Sequence, residues 1–81
     1  MNINILNLSR TTTEKELIRL FKVYGAVESC TIVMDKKSGE SKGFGFIEMS
    51  NDDEANAAIK NLHGDRIGGN KIRVKVSNKT E

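Results

Sequence analysis

Residues 42–49 of the chain, KGFGFIEM, alternate in a way that limits how this segment can be buried. In a β-strand, successive side chains point to opposite faces, so Phe44 and Phe46 share a face with Lys42 and Glu48. Burial of that face would remove two charged side chains from water, which is unfavourable unless they are paired. The alternative, common for alternating phenylalanines, places both rings in the core. We predict instead that the rings face solvent and that the intervening glycine, isoleucine and methionine face the core.

The composition is that of one small globular domain. The 81 residues are 37% hydrophobic and 30% charged, and the net charge of +2 permits an anionic partner without requiring one. No apolar run is long enough for a transmembrane helix and the first residues do not resemble a signal peptide, so we expect no membrane partner and a cytoplasmic location. Cys30 is the single cysteine, which excludes an internal disulfide, and its β-branched surroundings predict a buried structural thiol.

Two segments carry the start signals and the apolar periodicity of helices. Each begins with a capping box, in which a polar N-cap residue is followed three positions later by a glutamate: Thr13 with Glu16, and Asn51 with Glu54. Apolar residues then recur at i, i+3, i+4 and i+7, which gives each helix a single apolar stripe. Gly25 is predicted to end the first helix as a left-handed cap, and Gly64 to end the second.

Four segments have the alternation or the β-branched content of strands: residues 2–8, 27–34, 43–49 and 71–76. In the first, Ile3 and Ile5 are predicted to point inward. The faces of the second separate less cleanly, which predicts a bulge near Glu28 and Ser29. The polar loop of residues 35–41 is short and predicts a hairpin between the second and third strands.

This order of elements predicts an α+β fold of the ferredoxin-like βαββαβ type over residues 1–77, with residues 78–81 as a loose tail. Because each helix has one apolar stripe, both should lie on the same face of a four-stranded antiparallel sheet. The opposite face of the sheet is then open to water. Besides the residues of the central strand, that face is predicted to carry Asn4, Leu6, Thr31, Val33, Arg73 and Lys75.

An open face with two aromatic rings and several cations matches the physical requirements of single-stranded nucleic acid. Each base stacked on an aromatic ring contributes roughly 1–3 kcal/mol, and cations bind the phosphates between stacked bases. Basic residues on an exposed strand ordinarily only keep a protein soluble, but here they share a face with the rings. The predicted phosphate contacts are Lys42, Arg73 and Lys75 on the sheet and Lys36 and Lys37 in the hairpin loop.

Residues 42–49 resemble the eight-residue RNP signature of the RNA recognition motif, matching six positions outright. Ile47 in place of valine and Met49 in place of an aromatic residue are conservative departures. Residues 3–8, INILNL, resemble the six-residue companion signature of the first strand, and the resemblance extends over about residues 2–77. It implies that Phe44 and Phe46 contact bases and sugars, and that the lysine at the start of the signature contacts a phosphate.

One position departs from the family pattern. The second residue of the companion signature is usually an aromatic base platform, whereas here it is Asn4. An amide can hydrogen-bond a base edge but offers less stacking area, so we expect RNA binding weaker by about 1–3 kcal/mol than on a fully aromatic platform. Leu6 and Val33 are apolar positions of the same face that a base can contact. We also place Glu48 and Ser77 among the RNA-contacting residues.

We predict a non-catalytic monomer that binds single-stranded RNA without a cofactor or metal. Single-stranded DNA as a second ligand and an additional protein partner are left open. The main alternative is a protein-binding module on the same fold, which holds a peptide on its sheet or helices. Enzyme chemistry is disfavoured because the one histidine, His63, lies at the predicted end of the second helix, far from the open face. No Cys/His cluster has the spacing of a zinc site.

Overall fold

The fold is the predicted α+β sandwich, seen in a computed structural model that describes residues 1–77. The predicted loose tail, residues 78–81, lies outside the described residues. The elements in chain order are β1 (Asn2–Leu6), α1 (Glu14–Lys22), β2 (Ser29–Met34), β3 (Ser41–Glu48), α2 (Asp52–Leu62), β4 (Arg66–Ile67), β5 (Asn70–Lys71) and β6 (Arg73–Val76). The main sheet is antiparallel with the strand order β2-β3-β1-β6, so the two signature-bearing strands lie at its centre.

The core lies between this sheet and the two helices. The core side chains come from alternate positions of β1 and β3 and from the apolar stripe of each helix, as the sequence spacing predicts. Its fully buried side chains include Ile3, Ile5, Leu17, Phe21, Ile47, Met49, Ala55, Ala58, Ile72 and Val74. Because the helices cover one face only, the other face of the sheet has no covering element among the described residues.

The capping box of α1 forms as predicted. The hydroxyl of Thr13 accepts a hydrogen bond from the N–H of Glu16 at 3.2 Å, and the Glu16 carboxylate accepts one from the N–H of Thr13 at 2.9 Å. The prediction for the end of this helix is wrong, because Val23 is the C-cap in a right-handed conformation and Gly25 is not left-handed. Gly25 serves a different purpose: a Cβ at this position would overlap with the side chain of Glu54.

The second predicted capping box forms only in part among the described residues. The Asn51 side chain accepts a hydrogen bond from the N–H of Glu54 at 2.9 Å. The Glu54 side chain lies against Gly25 and does not reach back to the N-cap, so the box is one-sided. Gly64 follows the C-cap residue of α2 with a positive φ of 89°, as expected for a glycine that ends a helix.

The irregularity of the β2–β3 pair is at the opposite end from the predicted bulge. Pairing is regular from Ser29 to Ile32, so the bulge predicted near Glu28 and Ser29 is wrong. The register shifts between Ile32 and Met34, where one residue of β2 faces three of β3. Gly43, within those three, has a φ of 87°, which is the left-handed conformation that a glycine bulge uses.

The end of the chain also differs from the prediction in detail. The predicted last strand began at Lys71, but Lys71 pairs with Arg66 in a short hairpin formed by β4 and β5. Two glycines with positive φ, Gly68 and Gly69, form the turn of this hairpin. The ladder of β6 with β1 therefore begins at Arg73.

Candidate nucleic-acid interface

The surface of the sheet opposite the helices, called the open face below, consists of three cross-strand rows. The registers of the four strands place the predicted site residues in these rows, read from β2 to β6. The first row is Thr31, Phe46, Asn4 and Lys75. The second, beside the irregular end of β2, is Phe44, Leu6 and Arg73, and the third is Ser29, Glu48 and Asn2. Most of the predicted contact residues are therefore neighbours in space.

The two phenylalanine rings lie next to each other on this face. Their centroids are 6.3 Å apart and the ring planes are at 88°, an edge-to-face arrangement. Phe46 is 40% exposed and Phe44 is half-buried, while the residues that alternate with them, Gly45 and Ile47, are buried. The rings thus point away from the core, as the alternation of the segment predicts.

Gly45 holds β2 close to this strand. A Cβ at Gly45 would lie 2.6 Å from the carbonyl oxygen of Thr31 and 3.2 Å from the Cα of Ile32. Both are backbone atoms, so a side chain here would push β2 away. The glycine between the two rings is therefore needed for β2 and β3 to pair closely where the rings lie.

The cations of the open face are exposed and available to a ligand. Lys75 is the cross-strand neighbour of Asn4, and Arg73 is that of Leu6. The two ion pairs found among residues 1–77 join Arg10 to Glu40 at 3.5 Å and the amino terminus to Asp52 at 3.9 Å, and neither uses a cation of the sheet. The positive charges of the face are therefore free of carboxylate partners within the described part of the chain.

Two shallow cavities flank the rings, one at each end. The first, called the Phe46 cavity, measures about 260 Å³ and is lined by Phe46 and Glu48 together with Asn2, Ser29, Thr31 and Ser77. The second, called the Phe44 cavity, measures about 220 Å³ and is lined by Phe44, Lys42 and Arg10 with polar residues of the β2–β3 hairpin. Each exposed ring thus adjoins a concave polar surface.

Asn2, Ser29 and Arg10 are among the cavity residues that did not emerge from the sequence. Asn2 and Ser29 lie at outward positions of β1 and β2, and the period-two pattern, followed to the ends of the strands, would have found both. Arg10 lies in the β1–α1 connection and comes beside Phe44 through its ion pair with Glu40. No local pattern signals Arg10, because its position depends on two loops that are distant in sequence.

The two loop lysines are less closely associated with the face. Lys36 and Lys37 are exposed in the turn between β2 and β3, and neither lines the Phe44 or the Phe46 cavity. The Asp35 carboxylate accepts a hydrogen bond from the N–H of Lys37 at 2.7 Å, which orders the turn. Val33 is half-buried where the register of β2 shifts, at the side of the face.

Side chains from the helix ends occupy the free edges of the outer strands. On β2, the carboxylate of Glu14 accepts a hydrogen bond from the N–H of Ile32 at 2.9 Å. On β6, Nδ1 of His63 accepts one from the N–H of Val74 at 3.0 Å. These contacts block edges that another strand could otherwise extend. His63 is thus the C-cap residue of α2, as predicted, and its ring also binds the sheet edge.

The remaining titratable groups do not form a catalytic or metal site. Cys30 packs against the core half-buried, and burial, together with the nearby negative charge of Glu14, raises the pKa of its thiol to about 11. The thiol is therefore protonated at neutral pH, which agrees with a structural role. In residues 1–77 no cluster of His, Cys, Asp and Glu could hold a metal ion, and neither helix is long and apolar enough to cross a membrane.

Comparison with known families identifies the class of protein that this fold and face define. The RNA recognition motif family matches residues 3–73. The chain belongs to that family, whose domains bind RNA and are not enzymes.

Individual relatives agree with this assignment. RNA-binding protein CP31B of Arabidopsis thaliana, a chloroplastic protein, is 40% identical over 75 residues, which cover 93% of this chain and 26% of CP31B. The crystal structure of RNA Binding Protein PG1 matches with a TM-score of 0.94 at 37% identity, covering 100% of this chain and 98% of that one. The Sxl-lethal protein/RNA complex matches with a TM-score of 0.91 at 28% identity, covering 99% of this chain and 48% of that one.

The chain spans about a quarter of the length of CP31B, so that similarity concerns the domain alone. Since CP31B is chloroplastic, it gives no support to the cytoplasmic location expected from the sequence, which stays a prediction.

Proposed function

We propose that the protein binds single-stranded RNA on the open face, with bases stacked on Phe44 and Phe46. The observation that carries this proposal is the pair of rings on the solvent side of the sheet, one of them 40% exposed. A soluble domain gains nothing for its own stability by leaving aromatic area in water, whereas a base can cover that area. The Sxl-lethal protein/RNA complex shows a similar fold in the presence of RNA and supports the proposal.

The cations around the rings supply the electrostatic part of binding. Lys42 lines the cavity beside Phe44, while Arg73 and Lys75 lie in the rows of the two rings on β6. Phosphates on either side of a stacked base can reach these positions. Lys36 and Lys37 contribute to the attraction from the exposed hairpin turn. Leu6 and Thr31 complete the surface beneath the bases.

The salt dependence of binding tests the electrostatic part. About three phosphate contacts predict a slope near −2 for log affinity against log salt concentration, because each contact with a single strand contributes about −0.7. Fluorescence anisotropy with a short labelled RNA at several salt concentrations measures the slope. A slope near zero would contradict the proposal and would favour the alternative, a module that holds an apolar peptide.

A matched pair of lysine variants separates local contacts from overall charge. Lys75→Ala is expected to make the slope less steep by about 0.7, since it removes a cation of the open face. Lys60→Ala removes the same charge from an exposed position of α2, on the other side of the molecule, and should leave the slope unchanged. Equal effects of both variants would mean that only net charge matters.

Asn4 is the position at which stacking area can be added. It lies directly across from Phe46, in the row where the family usually has an aromatic platform. Asn4→Tyr is expected to tighten RNA binding by about 1–3 kcal/mol, because a third ring can stack a base. The dissociation constants of both proteins for one RNA, measured in the same titration, check this. Unchanged affinity would show that the RNA path does not cross β1 at this position.

A further inference from the structure

Phe46 lies between two side chains whose oxygens accept hydrogen bonds. Asn4 is its cross-strand neighbour on β1, and the side-chain oxygen of Asn4 is buried without a hydrogen-bond donor among residues 1–77. Glu48 lies two residues along β3 on the same face, and its carboxylate lines the Phe46 cavity. Buried acceptors in folded proteins are nearly always paired, and because this one is not, the Asn4 amide loses no hydrogen bond of its oxygen if it turns toward a donor that a ligand brings.

The surroundings of Glu48 leave its carboxylate available. Glu48 is exposed, and its one side-chain hydrogen bond among the described residues comes from the hydroxyl of Ser29 at 3.4 Å, near the limit for such a bond. The other polar residues of the cavity, Asn2, Thr31 and Ser77, carry no charge. Glu48 is therefore the one charged side chain among the residues that line the Phe46 cavity.

A carboxylate on this face discriminates between parts of a nucleotide. It repels phosphate, so the group that approaches it is the edge of a base. An ionised carboxylate only accepts hydrogen bonds, and it accepts two when two donors lie side by side. Guanine presents such a pair on its Watson–Crick edge, the N1–H and the 2-amino group. Uracil presents one N–H between two carbonyl oxygens, which a carboxylate repels.

We propose that Glu48 selects the base stacked on Phe46, with guanine preferred and uracil disfavoured. This inference rests on the proposed function, since it requires a base on that ring. Guanine places its two donors on the Glu48 carboxylate within the Phe46 cavity. The unpaired oxygen of Asn4, on the other side of the ring, likewise favours a nucleotide that brings a donor. The open face thus combines stacking, which any base can provide, with one position, Glu48, that prefers a base whose edge donates hydrogen bonds.

The test uses short uridine oligomers that carry one central guanosine, inosine or uridine. Inosine lacks only the 2-amino group of guanosine, so it keeps the stacking surface and loses one hydrogen bond to the carboxylate. The wild-type protein is expected to bind the guanosine strand about tenfold more tightly than the inosine strand, since hydrogen bonds to charged groups are the strong ones. The uridine strand is expected to bind most weakly. Isothermal titration calorimetry of the three strands measures the ratios.

Two variants of matched charge identify the source of the preference. In Glu48→Gln the affinities for the guanosine and inosine strands are expected to differ by no more than about twofold, because an amide accepts hydrogen bonds at one atom only. Asp53→Asn makes the same change of charge on an exposed residue of α2 and should keep the tenfold ratio. Both positions are exposed, so both variants are expected to fold, and circular dichroism confirms this before titration.

The outcomes separate this inference from the function on which it rests. Equal affinity of the wild-type protein for the guanosine and inosine strands would overturn the inference and leave RNA binding intact. The same holds if Glu48→Gln tightens the binding of all three strands by one common factor. That result would show that the carboxylate repels RNA in general and does not select a base. Failure of the wild-type protein to bind any of the strands would overturn the proposed function and this inference together.

Discussion

Replacement of both Phe44 and Phe46 with alanine is expected to weaken RNA binding by about 2–6 kcal/mol, a factor of roughly 30 or more. In the proposed binding mode two bases lose the rings on which they stack, and only the weaker electrostatic attraction of the sheet and loop cations remains. The affinity of a short RNA for the double variant, titrated beside the wild-type protein, measures the loss. Each single variant should show about half of this loss of binding free energy.

The same double variant should remain folded. The two rings lie on the side of the sheet away from the core, and the edge-to-face contact between them contributes about 0.5–1.5 kcal/mol. Thermal unfolding followed by circular dichroism is therefore expected to shift by a few degrees only. A collapse of stability would mean that the rings support the fold, and loss of binding in that variant would then have a trivial cause.

Phe21→Ala is the variant with the largest expected effect on stability. Phe21 belongs to the apolar stripe of α1 and is fully buried between the helices and the sheet. Truncation of such a ring in a core costs about 3–5 kcal/mol through lost burial and the remaining cavity. Native domains are stable by only about 5–15 kcal/mol, so the variant should be close to unfolding.

Urea unfolding of Phe21→Ala and Phe46→Ala compares the two sides of the sheet directly. The free energy of unfolding should fall by several kcal/mol more in the first variant than in the second. Similar losses, or a larger loss for Phe46→Ala, would contradict the assignment of one phenylalanine to the core and the other to the open face. The comparison uses the same chemical change at both sites, so it does not depend on differences in side-chain type.

The sequence carries enough information to predict the faces of the central strand. Because Lys42 and Glu48 alternate with glycine and large apolar residues, only one assignment of faces leaves the charges in water, and the structure confirms it. The same logic predicts the outward positions of Asn4 and Leu6 on β1. Period-two and helical patterns succeed here because burial of a charge is costly wherever it occurs.

Features that depend on contacts between distant segments could not be predicted in this way. Gly25 looks like a helix cap in the sequence, but its role is to make room for Glu54, which α2 brings to it. The shift of register lies beside Gly43 and not near Ser29, because the hairpin turn fixes the pairing at that end. Arg10 reaches the Phe44 cavity through an ion pair across two loops.

The surface that RNA contacts on the protein can be mapped residue by residue. An NMR titration of the isotopically labelled chain with a short single-stranded RNA reports this for every assigned backbone amide. If RNA binds on the open face, the largest chemical-shift changes fall on β1 and β3, centred on the row of Phe46, with small changes on α1 and α2. Changes concentrated on the helices, with the amides of β3 unmoved, would contradict binding on the open face.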